Sequence, residues 1–276
     1  MTIPKLTLLF FLASIIYPSY AQIGDTDFGA RSRSMGHSNA TIEDEWSIFN
    51  NVGGISAVAD GTVCFGYDRY FAIEGFDRVA AAAIQPFQFG TLGASVYRFG
   101  DELYNESIIS AAYGNKIGFV SLGLRVNYLQ IRVEEFGTSG ALFFDFGGIV
   151  SLIPKLSFGA YISNISMSGL SDESSTEIPV IMKIGFSYRP VKSLKLNIDL
   201  NKDMEYTPNI KAGLEYSIQD KFFVRTGLNT DPFVGFFGAG VWLNRFRIDY
   251  AVGANAYLGS SHQATVSFTY HKNDQD

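Results

Sequence analysis

Eight charged residues, Arg125, Lys195, Asp199, Lys211, Glu215, Arg225, Arg247 and Asp249, fall at alternate positions of segments whose other positions are apolar. In FVSLGLRVNYLQI, Val120, Leu122, Leu124, Val126 and Tyr128 share one face, while Ser121, Gly123, Arg125 and Asn127 share the other. LKLNIDL sets Lys195, Asn197 and Asp199 against four apolar residues, and IKAGLEYSI sets Lys211, Gly213, Glu215 and Ser217 against Ile210, Ala212, Leu214, Tyr216 and Ile218. The chemistry open to such a set is electrostatic. Both signs occur on adjacent segments, as pairing across strands requires, so the set reads first as a structural network of opposite charges filling an interior. Its alternative reading is the lining of a selective pore.

Catalysis and metal binding find little to use. His37, His262 and His271 are scattered, with neither a neighbouring cysteine nor helical HxxxH spacing, so a metal centre has no support. Cys64 is the single cysteine, which excludes an intrachain disulfide. The glycines of GFFGAG, Gly235 to Gly240, lie inside a strand-like run with no helix after it, the wrong context for a phosphate loop. No Gly-x-Ser-x-Gly elbow occurs. The expectation is a protein without a catalytic centre, metal or cofactor.

The elements that position the charges are strands, because a helix would bury a 3.6-residue stripe whereas these segments alternate with period two. The pattern predicts an all-β, antiparallel up-and-down barrel of about fourteen strands, near 62–69, 76–85, 89–98, 105–114, 117–130, 140–151, 156–164, 179–189, 194–201, 208–218, 222–229, 233–243, 246–254 and 263–271, with twelve as the lower count. Links after odd-numbered strands read as longer (DRYFAIEGF, GDELYN, VEEFGTS, SMSGLSDESSTEI, NKDMEYT, NTDP, NAYLGSSH), and those after even-numbered strands as tight turns (QPF, GNK, LIPK, RPVK, QDK, LNR). Acids Glu102, Glu134, Glu135, Asp172, Glu173, Glu177, Asp203 and Glu205 go to the longer links, and Lys116, Lys155, Arg189, Lys192, Lys221 and Arg245 to the turns. Outer-membrane barrels put short turns on the periplasmic side, so both termini are expected there.

Composition fits a closed barrel in lipid. There are 28 Gly, 24 Phe and 15 Tyr, material for curved sheet and interfacial aromatic girdles, and a mean hydropathy of +0.10 in which lipid-facing and lumen-facing residues average out. The opening MTIPKLTLLFFLASIIYPSYAQ carries Lys5, an apolar run from Leu6 to Tyr17 and small residues at Ser19 and Ala21, a secretory signal peptide cut after Ala21. A net charge of -6 and the lack of a basic run argue against nucleic acid as a partner. The chain thus divides into 1–21 signal peptide, 22–60 a Gly-rich segment that does not alternate and reads as a structured prelude, and 61–276 barrel.

Within that segment, GARSRSMGHSNATIEDEWSIFNNVGGIS resembles the opening of the PorV/PorQ group of outer-membrane proteins, relatives of the FadL-type hydrophobic-compound transporters. Gly29, Ala30, Arg31, Met35, Gly36, Trp46 and Asn50 occupy the group's pattern, and Gly54 closes it. The group's Asn-Pro-Ala-Gly-Leu is here Asn50, Asn51, Val52, Gly53 and Gly54, without the proline. The segments DLNKDMEYTPNIKAGLEYSI, KFFVRTGLNTDPF, FGAGVWLNRFRIDYAV and LGSSHQATVSFTY are similar to the group's closing strands. The resemblance implies a fourteen-stranded barrel in the outer membrane of a Bacteroidetes-type bacterium, with the 22–60 segment entering the lumen from the periplasmic side and plugging it. It also implies an accessory role in type IX secretion, through contacts with a large translocon barrel or other secretion proteins as well as with outer-membrane lipid. The alternative is a FadL-like passive transporter of hydrophobic small molecules, with an apolar pocket built from Phe223, Phe237 and Leu243.

Overall fold

The computed structural model describes residues 26–271 except 72–74, 171–177, 205–206 and 256–258; the expected signal peptide lies outside the described residues. Fourteen strands form the wall: β1 (Gly61–Arg69), β2 (Asp77–Phe87), β3 (Gly90–Gly100), β4 (Tyr104–Ile117), β5 (Val120–Val133), β6 (Gly137–Ile153), β7 (Leu156–Ile162), β8 (Ile181–Val191), β9 (Leu194–Asp203), β10 (Asn209–Ile218), β11 (Phe222–Thr230), β12 (Phe233–Leu243), β13 (Phe246–Asn255) and β14 (Gly259–His271). Each pairs antiparallel with its sequence neighbours, and β1 pairs with β14, so the sheet closes without an edge. Closure satisfies the backbone in a medium that offers no hydrogen bonds.

The two faces invert the polarity of a water-soluble protein. Outward residues such as Phe65, Ile109, Tyr128, Leu142, Ile198 and Ile248 are exposed, while inward Asp68, Asn127, Asp145, Asp199 and Asp249 are buried. An exposed apolar belt of this extent is stable only against hydrocarbon.

Strands run further than the sequence pattern suggests. Asn115 and Lys116 are ladder residues opposite Leu122 and Ser121, and the β4–β5 turn is Gly118 and Phe119, with Gly118 at φ +62°, a left-handed position that favours glycine. Asp203 is buried on the inner face of β9 rather than in a link, and Arg189 belongs to β8. The contrast between odd and even connections is correspondingly weaker, because residues 101–103, 134–136 and 231–232 are the whole links after β3, β5 and β11. Long connections remain at 70–76 and 163–180. We call that end of the barrel the loop end and the other the turn end.

Residues 26–58 run inside the barrel. They hold a short helix, α1 (Ala30–Ser34), and two 3-10 turns, Glu45–Ile48 and Val52–Ala57. Asp44 starts the first turn by accepting the Trp46 N–H at 3.0 Å, with Ser47 Oγ accepting the Asp44 N–H at 3.0 Å, a reciprocal capping box. Asn51 starts the second by accepting the Gly53 N–H at 3.1 Å.

This segment fits because the wall has glycines where its backbone passes. A Cβ on Gly213 would come within 2.5 Å of Met35, and one on Gly123 within 2.5 Å of the Val52 carbonyl oxygen. Gly227 and Gly159 similarly leave room for the backbone at Met35–Gly36 and Ala40. The glycine enrichment is therefore partly a slot for the inner segment.

Candidate functional site: the barrel lumen

All eight charged residues predicted for the lumen face inward, and most meet a partner from the inner segment. Arg31 of α1 grips Glu215 of β10 through two hydrogen bonds, 2.5 and 2.8 Å, and reaches Asp44 at 3.3 Å. Glu215 also receives Arg225 at 2.6 Å, Arg225 binds Asp249 at 2.6 Å, and Arg247 binds Asp249 at 2.8 Å. A continuous chain, Asp44–Arg31–Glu215–Arg225–Asp249–Arg247, thus ties the inner segment to β10, β11 and β13. Gly238 and Gly240 of the GFFGAG run make space for Ser34 and for the Arg225–Asp249 pair.

The remaining members anchor other stretches. Arg125 binds Asp145 at 2.6 to 2.8 Å and donates to the Ile48 carbonyl, Thr26 Oγ1 (3.0 Å) and Tyr161 Oη (3.2 Å). Asp199 accepts the Ala40 N–H at 2.7 Å, Lys195 donates to the Thr41 carbonyl at 3.4 Å, and Lys211 lies 3.8 Å from Asp27, which Lys183 also binds. The segment's own residues lock it internally. Asn50 donates to the carbonyls of Phe28 (2.9 Å) and Trp46 (3.0 Å), while Gly29 and Gly54 sit where a Cβ would press on Trp46 and on Ile42 with Ser47. Met35 and Trp46 are buried, and Gly36 turns the chain at φ +69°.

Sequence reasoning missed several partners. Asp68 receives both Arg33 (2.5 Å) and Arg78, and Asp145 gathers Arg125, Asn127, Ser163 and the Asn164 N–H. Asp145 shares its face with Ala141 and Phe143, so strand parity alone points it inward; the surrounding phenylalanines masked that signal. The three histidines do not meet: His37 lies in the inner segment, His262 faces outward beside Tyr250 (2.7 Å), and His271 ends β14.

The lumen is two-sided. Across from the Arg31–Glu215–Arg225–Asp249 chain, and on the loop-end side of the Arg125–Asp145 pair, the inner faces of β3 to β6 carry Tyr97, Ile108, Leu129, Ile131 and Phe143, packed with Phe28, Trp46 and Phe49 of the inner segment. Leu170 and Ile178 of the β7–β8 connection insert into the same cluster. β6 pairs with β7 only from Phe146 to Ile153, and above that no described strand flanks it on this side. The connection takes over there, with the Ile165 N–H on the Phe144 carbonyl at 2.8 Å. The expected pocket residues separate: Phe223 faces the lumen beneath Arg225 and Arg247, but Phe237 and Leu243 point outward, since the parity that buries Val234 and Phe236 exposes them.

No family model and no curated protein matches this sequence. Solved structures do. The Ralstonia pickettii toluene transporter TbuX aligns with 90% of this chain and 100% of its own at a TM-score of 0.68 and 12% identity. The CymD monoaromatic hydrocarbon channel gives 0.67 and 11%, over 91% and 100%, and a Pseudomonas aeruginosa FadL homologue 0.63 and 11%, over 90% and 98%. The likeness is one of fold. The narrower resemblance to PorV/PorQ finds no support among these neighbours.

Proposed function

We propose that the protein is an outer-membrane barrel, with the turn end and both termini periplasmic, that passes small hydrophobic molecules without catalysis. The observation carrying this reading is the apolar sector of the lumen, which runs from the loop end down to the aromatic residues of the inner segment. It is closed by a connection rather than a strand, so loosening that connection exposes Leu129, Ile131 and Phe143 without breaking the ladder. The fold likeness to hydrocarbon channels supports the same reading. In a strain whose uptake of a labelled monoaromatic hydrocarbon depends on this barrel, Leu129→Glu should lower the uptake rate roughly tenfold or more, because an unpaired carboxylate in an apolar path is strongly unfavourable. Uptake unchanged in a strain lacking the barrel overturns the proposal.

A second reading keeps the barrel as an accessory of type IX secretion. What favours it is the inner segment, bolted across the lumen by the buried ion pairs of Arg31, Arg33 and Asp27 to several strands. It expects negligible conductance in planar bilayers and co-purification of a large translocon barrel from native membranes.

A further inference from the structure

The outer wall is not uniformly bulky. Gly148 of β6 and Ala160 of β7 stand opposite each other in register, both outward, and their small size cuts a notch between Leu122, Phe146, Phe158 and Met182. The resulting groove has a volume of about 400 Å³ and is lined almost wholly by apolar side chains. At its turn-end foot, a second hollow of about 430 Å³ lies against Phe119, Leu152, Ile153 and Pro154. Phe119 and Val120 are successive residues, as are Val150 and Ser151, so the two hollows adjoin along β5 and β6.

Phe146 to Ile153 is eight residues of β6, seven steps or about 23 Å of strand at roughly 3.3 Å per residue. With a barrel tilt of about 40°, that is roughly 17 Å along the membrane normal, close to one leaflet's half of a core about 30 Å thick. The groove therefore has the length of one acyl chain.

Charge at the foot of the groove selects the headgroup. Lys155, Arg189 and Lys192 are exposed there and gathered by the turns themselves: the Arg189 N–H donates to the Lys155 carbonyl at 2.8 Å, and Lys155 Nζ to the Pro190 carbonyl at 2.9 Å. No acidic residue occurs in 151–157 or 187–195. We propose that this wall holds one anionic phospholipid of the turn-end leaflet, its acyl chain in the Gly148–Ala160 groove and its phosphate on Lys155, Arg189 and Lys192. Basic residues at the membrane surface favour anionic headgroups.

The test is native mass spectrometry of the purified barrel in detergent, incubated with equal phosphatidylglycerol and phosphatidylcholine. One retained phosphatidylglycerol is expected, about tenfold over phosphatidylcholine. The double variant Lys155→Gln/Lys192→Gln should bind both lipids alike, and Ala160→Leu should retain neither. Both changes lie on exposed or lipid-facing positions, and heat-modifiable gel mobility verifies folding. Equal retention of the two lipids by the unaltered protein, undiminished retention by Ala160→Leu, or displacement by lipopolysaccharide would each overturn the proposal.

Discussion

Asp145 shows how far a single carboxylate organises the interior. It is fully buried and takes Arg125, Asn127, Ser163 and the Asn164 N–H, so it joins β5, β6 and the start of the β7–β8 connection. Asp145→Asn would leave Arg125 charged and unpaired in the lumen, a loss of roughly 3–5 kcal/mol, measurable as a lower urea midpoint of the detergent-folded barrel. Replacing both partners with apolar residues should cost far less, because no orphaned charge remains. His37 gives the pH dependence. Burial, reinforced by the nearby Lys211 and Arg33 cations and opposed by Asp27, holds its imidazole well below the usual 6.5. A released or unfolded segment therefore binds a proton that the docked one does not as pH falls below 6.5, and docking weakens in acid. Protease nicking of the inner segment should be several-fold faster at pH 5.5 than at 7.5, and His37→Phe should flatten that difference.

At the level of elements, the inner segment and the wall are fitted by absence of side chains as much as by charge. Gly213 and Gly123 lie on opposite sides of the lumen, one against Met35 and the other against Val52. Gly123→Val overlaps the backbone of Val52 and Gly53, which must shift to admit it, so the barrel should still close while residues near Val52 are displaced. Single-channel conductance should then rise from the closed level of the unaltered protein; an unchanged trace would show that the segment does not gate the lumen. The strands themselves were legible from alternation, since all fourteen expected segments are strands. Their ends were not, because antiparallel neighbours continue pairing until a residue accepts left-handed backbone. Gly118 does so at the β4–β5 turn, beyond the expected GNK, and Glu135 at the β5–β6 link, which is three residues rather than the expected VEEFGTS.

For the whole molecule, the ion pairs of the lumen and its apolar sector toward the loop end separate two roles, holding the inner segment and offering a path beside it. Deleting residues 26–58 should leave a barrel that folds but melts at lower temperature and conducts, since water would replace the segment against Asp68, Glu215 and Asp199. A sealed barrel after this deletion would transfer the closure to the loop end. By itself the sequence determined the period-two wall, its closure in lipid and the inward side of Arg125, Glu215 and Asp249, because side-chain direction along a strand follows from parity alone. Only the tertiary structure decided which charges meet: Arg31 and Glu215 are 184 residues apart, and no local pattern links them. It also decided that Leu129 and Ile131, on the same face as Arg125, are not errors in the alternation. They are inward apolar residues covered by Phe143, Leu170 and Ile178, because the segment folded inside the barrel gives that part of the lumen an apolar surface to pack against rather than water.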